Sequence, residues 1–189
     1  MKKLLFTLLL FLTSNMWGYA QKGETCFSFQ GGYENFSKFI EKDGYNFALN
    51  LTHYVNNRIY AVANFHTGLS NRNYNQKLSG QNSSYEIDNK LREYMLGLGL
   101  GADIFHKKRH VIYVQSTVGL GVIDEKTENI NISDWSKQRL QDNHATFALS
   151  FTAGYDYQLN DWLTMGINYT GYQIRSYRNS CNLKIGIIF

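Results

Sequence analysis

Apolar and polar residues alternate along eight stretches of this chain, with the period of two that sends successive side chains to opposite faces of a β-strand. In residues 25–36, Phe27, Phe29, Gly31 and Tyr33 share one face, and Ser28, Gln30, Gly32 and Glu34 the other. Residues 44–55 set Tyr45, Phe47, Leu49 and Leu51 against Asn46, Ala48, Asn50 and Thr52. Residues 58–70 set Ile59, Ala61, Ala63, Phe65 and Leu69 against Tyr60, Asn64 and His66. In residues 91–105 the pattern is Tyr94, Leu96, Leu98, Leu100, Ala102 and Ile104 opposite Gly97, Gly99, Gly101 and Asp103. Residues 111–123, 144–158 and 162–172 repeat it, and the last stretch, from Ser180, aligns Leu183, Ile185, Ile187 and Phe189.

The connections have a rhythm of their own. Residues 56–57, 106–110 and 159–161 are short links, whereas 37–43, 71–90, 124–143 and 173–179 are longer and polar. Short periplasmic turns alternating with long outer loops characterise a membrane barrel, and an even strand count puts both termini on the periplasmic side. A soluble β-sandwich or lipocalin-like barrel shares the period but reverses the faces. Residue size separates the two. The polar face is rich in Gly, Ala, Ser, Thr and Asn, which suit a narrow lumen, and the apolar face carries bulky Leu, Ile and Phe. The pattern therefore predicts an all-β, eight-stranded antiparallel up-and-down transmembrane β-barrel. Tyr155, Tyr157 and Trp162 would form a periplasmic interfacial girdle, and Tyr45, Tyr94 and Tyr169 an outer one.

Composition changes this picture little. The chain has no proline, so no strand is interrupted by a missing ladder donor. A basic start at Lys2 and Lys3, an apolar run from Leu4 to Leu12 and the small residues Gly18 and Ala20 describe a secretory signal peptide over 1–20, leaving 21–189 as the barrel. The apolar run is shorter than the roughly twenty residues a helical span needs. Cys26 lacks a lipobox before it. Of the 19 basic residues, Lys2 and Lys3 leave with the leader, and 17 then face 15 acidic ones, which argues against nucleic acid as a partner. Cys26 and Cys181 begin the first and last predicted strands. They would lie on opposite sides of a wall about 25 Å tall, too far apart for a disulfide, so two free thiols are expected.

The stretch Leu159-Asn160-Asp161-Trp162-Leu163-Thr164-Met165-Gly166-Ile167-Asn168-Tyr169, together with the terminal strand ending at Phe189, resembles the small eight-stranded outer-membrane β-barrels, the OmpA/OmpX-like group. The likeness runs over the whole mature chain and rests on pattern. It implies that Ile185, Ile187 and Phe189 act as a recognition signal for the barrel-assembly machinery. With no peptidoglycan-binding domain after Phe189, the chain looks like the barrel-only, porin-like members.

Chemistry in the predicted lumen is confined to Glu34, Glu93, Asp103, Asp156 and Lys184. Barrel closure should bring Lys184 towards Gln30 or Glu34, and a charge there must be paired and hydrogen-bonded. Gln30, Glu34, Asp103, Asp156 and Lys184 then read as a polar network that braces the interior, ahead of an ion or proton pathway. A lipid A-modifying enzyme needs a nucleophile, a base and an orienting group at the outer leaflet. His66, Ser70 and His144 lie at that level, but the period turns His66 into the lumen. No catalytic set, cofactor or metal ligand set is expected, and the cluster His106-Lys107-Lys108-Arg109-His110 reads as a solvated turn. Recognition of a surface ligand falls to loops 71–90, with Tyr74 and Tyr85, and 124–143, with Trp135. The sequence thus points to a non-enzymatic outer-membrane barrel, embedded in outer-membrane lipid, that supports envelope integrity and presents surface loops. A small-solute or lipid-binding barrel is the alternative.

Overall fold

The computed structural model describes residues 23–35, 43–77, 84–131 and 136–189, and side chains there except at 72–77 and 84–86. The leader, the 37–43 loop up to Asp43, the side chains of Tyr74 and Tyr85, and Trp135 lie outside what it describes. Eight strands follow one another: β1 (Thr25–Asn35), β2 (Gly44–Tyr54), β3 (Ile59–Lys77), β4 (Ser84–Lys107), β5 (His110–Asn131), β6 (Lys137–Gln158), β7 (Leu163–Ile174) and β8 (Ser176–Ile188). Each pairs antiparallel with its chain neighbours, and β8 pairs with β1 to close the barrel. The seam ends on reciprocal backbone bonds between Thr25 and Phe189, at 2.9 and 2.8 Å.

The faces decide between a soluble and a membrane barrel. Leu98, Leu120 and Leu183 are 68, 73 and 71% exposed, and Phe27, Phe47, Phe151, Ile167 and Ile185 also point outward. Ser28, Gln30, Asn46, Asn50, Asn64, Thr117, Ser150, Thr152, Asn168 and Asn182 are buried within. An exterior this apolar is stable only against hydrocarbon, and the chain is a transmembrane barrel. On the lumen face, bonds between neighbouring strands join Asn64 to Asn50 (2.5 Å), Asn182 to Asn168 (2.9 Å), Thr117 to Ser150 (2.6 Å) and Thr152 to Thr170 (3.0 Å). Glycine makes room for the larger rings inside. A Cβ on Gly101 would overlap the ring of Tyr60, and one on Gly154 the ring of Tyr113.

Both ends of the barrel are built locally. At the end that holds the termini, Asn56 Oδ1 accepts the amides of Arg58 and Ile59 (2.9 and 2.8 Å). Asn160 Oδ1 does the same for Trp162 and Leu163 (3.1 and 2.8 Å). These are Asx turns. The far end departs from the sequence expectation in three ways. Strands β3 to β6 run on through most of 71–90 and 124–143, which are paired ladder and not loop. The predicted 173–179 loop is a reversal at Arg175 alone, which takes a left-handed φ of 59°. The lumen is not polar throughout, because Leu91, Met95, Ile123, Ala148, Tyr172 and Ile174 form a buried apolar cluster. Inward parity continues through those residues, and at this end of the lumen they pack on one another.

Candidate functional site

Two groups of charges occupy the lumen. Near the terminus end, Lys184 Nζ donates to Asp156 Oδ2 at 2.6 Å and to Tyr113 Oη at 3.5 Å, and sits 4.5 Å above the Tyr113 ring. Register explains the pairing. Asp156 on β6, Gly166 on β7 and Lys184 on β8 occupy one row, and Gly166 has no side chain to separate the other two. This corrects the expected approach of Lys184 to Gln30 or Glu34. Gln30 is the Cα partner of Lys184 across the seam, yet the ammonium turns the other way. Asp103 belongs to the same end: it accepts from Tyr54 Oη at 3.1 Å, and His106 Nδ1 lies 3.6 Å from it. The cavity here, lined by Cys26, Tyr60, Tyr113, Asp156 and Lys184, measures about 40 Å³, room for a water or two.

The second group lies deeper towards the far end and separates Glu34 from the network in which the sequence placed it. Glu34 on β1, His66 on β3, Glu93 on β4 and Arg178 on β8 are all buried. His66 Nε2 is 3.4 Å from Glu34 Oε2 and 3.8 Å from Glu93 Oε1. The Arg178 guanidinium pairs with Glu93 Oε2. Tyr172 stacks on His66, with ring centroids 4.0 Å apart and planes 25° from parallel. Parity in the sequence turned Glu34, His66 and Glu93 inward, but only the register of β1 to β4 brings them together. Arg178 was not foreseen, because it fell in the predicted 173–179 loop; the inward Ser180 and Asn182 that follow it continue its parity.

The remaining sequence-marked residues are dispersed. Ile185, Ile187 and Phe189 face outward along the closing strand. Tyr45, Tyr94, Tyr169 and Trp162 are exposed on the wall, and Tyr155 and Tyr157 are half-buried beside His110, with Tyr155 Oη 2.7 Å from His110 Nδ1. Cys26 and Cys181 are free thiols. Cys26 stands opposite Ile188 and Cys181 opposite Tyr33, so seven rungs, about 23 Å of strand, separate their levels. Cys181 is mid-strand, not at the strand start. His66 is in the lumen, whereas His144 is exposed and pairs with Asp142 at 2.7 Å. The residues weighed for ester hydrolysis therefore do not meet.

Beyond the wall, β3 to β6 form a projecting sheet. β2 leaves β3 at Leu69, and β7 joins β6 only from Ala148. The part of β6 from Lys137 to Phe147 thus has β5 on one side and no paired strand on the other among the described residues. Arg139–Glu128 (3.2 Å), Lys126–Asp124 (3.3 Å) and Gln141–Asp124 (3.1 Å) bond along this sheet. Acids and bases interleave, with no excess of either sign.

No protein-family model matches the chain, and no curated protein matches it in sequence. Solved structures do. Ail, the attachment invasion locus protein of Yersinia pestis, superposes with a TM-score of 0.57 at 14% identity, covering 89% of this chain and 100% of Ail. The values are the same for Ail in complex with the heparin analogue sucrose octasulfate. The outer membrane protein OprG from Pseudomonas aeruginosa gives 0.51 at 9% identity, covering 91 and 98%. At these identities the likeness is one of fold: the architecture is that of the small eight-stranded outer-membrane β-barrels.

Proposed function

We propose that this chain is a non-enzymatic outer-membrane barrel that anchors a surface-exposed recognition sheet. The observation that carries the reading is the edge of β6 from Lys137 to Phe147, where no strand pairs on the side away from β5 among the described residues. An extended partner segment adds to such an edge through main-chain hydrogen bonds. The balanced charge of the sheet favours a polypeptide segment over a polyanion. In this reading both termini are periplasmic, the aromatic residues anchor the wall at the two interfaces, and Ile185, Ile187 and Phe189 engage the assembly machinery. The rigid, filled wall contributes to envelope integrity. A solute-binding lumen is disfavoured because so little space remains around Lys184.

Outer-membrane fractionation with heat-modifiable gel migration tests location, and protection of a C-terminal epitope in intact cells tests orientation. Recognition is tested by binding of extended peptides to the detergent-solubilised protein, wild type against Gln141→Pro. The bond from Asn131 N to Ser136 O sets the even-numbered residues of β6 towards β5, so the Gln141 amide faces the edge and proline there removes an edge donor while leaving the β5 ladder its bonds. Binding should weaken at least ~10-fold, about 1.4 kcal/mol, with gel migration unchanged. Equal binding by the two proteins would refute the edge as the recognition element.

A further inference from the structure

We infer that Glu34, His66 and Glu93 form a binding site for a divalent transition-metal ion within the lumen. The three donor atoms come from three strands and lie within 4.8 Å of one another, and all three side chains are fully buried. Neither nitrogen of His66 finds a hydrogen-bond partner, and Asn46 is the one hydrogen-bonding side chain beside Glu34 among the described residues. Buried polar atoms are almost always satisfied, and here one donor atom from each of the three residues turns toward a common space. A tetrahedral ion with bonds of about 2.0–2.1 Å holds its ligand atoms about 3.3–3.4 Å apart. The separations of 3.4 and 3.8 Å around His66 Nε2 are close to that spacing.

The surroundings fit the same reading. Arg178 grips the second oxygen of Glu93 and so orients that carboxylate, and Tyr172 fixes the imidazole plane. The apolar cluster containing Leu91 and Met95 excludes water from one side. One imidazole and two carboxylates suit a borderline ion such as Zn²⁺; Ca²⁺ asks for more oxygens and Mg²⁺ retains its waters. With a neutral imidazole, two carboxylates face one guanidinium, so the group lacks positive charge. An ion here ties β1, β3 and β4 together, and since the site is closed it loads during folding.

The test is to unfold and refold the full-length protein in detergent with Zn²⁺ or Co²⁺, clear it over chelating resin, and measure bound metal. About one ion per folded chain is expected, with the visible absorption of Co²⁺ held by nitrogen and oxygen ligands. His66→Ala and Glu34→Gln should fall to background, and Asp156→Asn, which alters the other lumen group, should keep the ion. If those variants do not fold, the wild type alone decides, through metal content, the Co²⁺ spectrum and a higher unfolding temperature after refolding with Zn²⁺. Folded wild type without stoichiometric metal, meaning that a shared proton fills the Glu34–His66 gap, would overturn the assignment. So would undiminished binding by folded His66→Ala.

Discussion

Strands β4, β5 and β6 pass through two surroundings, and one continuous ladder is held differently in each. Within the wall, Leu96, Leu98, Leu120 and Phe151 face hydrocarbon while Thr117 and Ser150 face the lumen. Beyond it the pairing continues from Leu91↔Glu125 to Tyr85↔Asn131 with no change of register, yet residues 137–145 of β6 are exposed on both faces. Ion pairs and amides replace the apolar belt there. Backbone pairing therefore outlives the contrast between two solvents, but side-chain alternation does not. The wall is stabilised by what its side chains exclude, and the projecting sheet by its attachment to the wall.

If that contrast is right, damage inside the wall costs most. Lys184→Ala strands the Asp156 carboxylate beside Tyr113 with no cation, and breaking a buried pair from one side costs about 3–5 kcal/mol. Urea unfolding in micelles should show a clearly lower midpoint, and adding Asp156→Asn should recover much of the loss. An unchanged midpoint for the single variant would mean that the pair does not brace the barrel. Next in size is an exterior change. Leu98→Arg places a charge in the hydrocarbon belt, at about 2–4 kcal/mol near the bilayer midplane. Leu140→Arg, on an equally exposed leucine of the projecting sheet, should stay within about 0.5 kcal/mol. Equal effects at the two leucines would abolish the distinction between wall and projection.

The same contrast explains what could be read in advance. Residues 25–35 and 44–54 alternate cleanly because their side chains meet either lipid or lumen, and β1 and β2 end within one residue of their expected bounds. Lys137 to Asn143 meet water on both faces, so nothing selects an alternating pattern, and a paired strand reads as a loop. Lumen partners were hidden for another reason. Parity shows that Lys184 points inward, but whether it turns to Gln30 or Asp156 depends on Gly166 in the intervening strand. Glu34, His66 and Glu93 likewise had the right parity on separate strands, and their convergence is a property of register.

The smallest effect is expected where the sheet leaves the wall. Arg139 and Glu128 are partly exposed, 3.2 Å apart, on strands that pair from Ile130↔Lys137 downward. A pair so open to solvent is worth about 0.2–1 kcal/mol, and Arg139→Ala should leave the unfolding midpoint of the barrel where it was. Its consequence should be local: faster amide exchange along 137–141, with protection in the wall strands unaltered. The reason is mechanical as much as electrostatic. Among the described residues β6 has a paired strand on one side only before Ala148, so each rung lost at its tip frays the next, and fraying stops where β7 joins. If exchange instead rises at Leu149 and Phe151, the projecting sheet and the wall open as one cooperative unit. The edge of β6 would then be part of what holds the barrel shut.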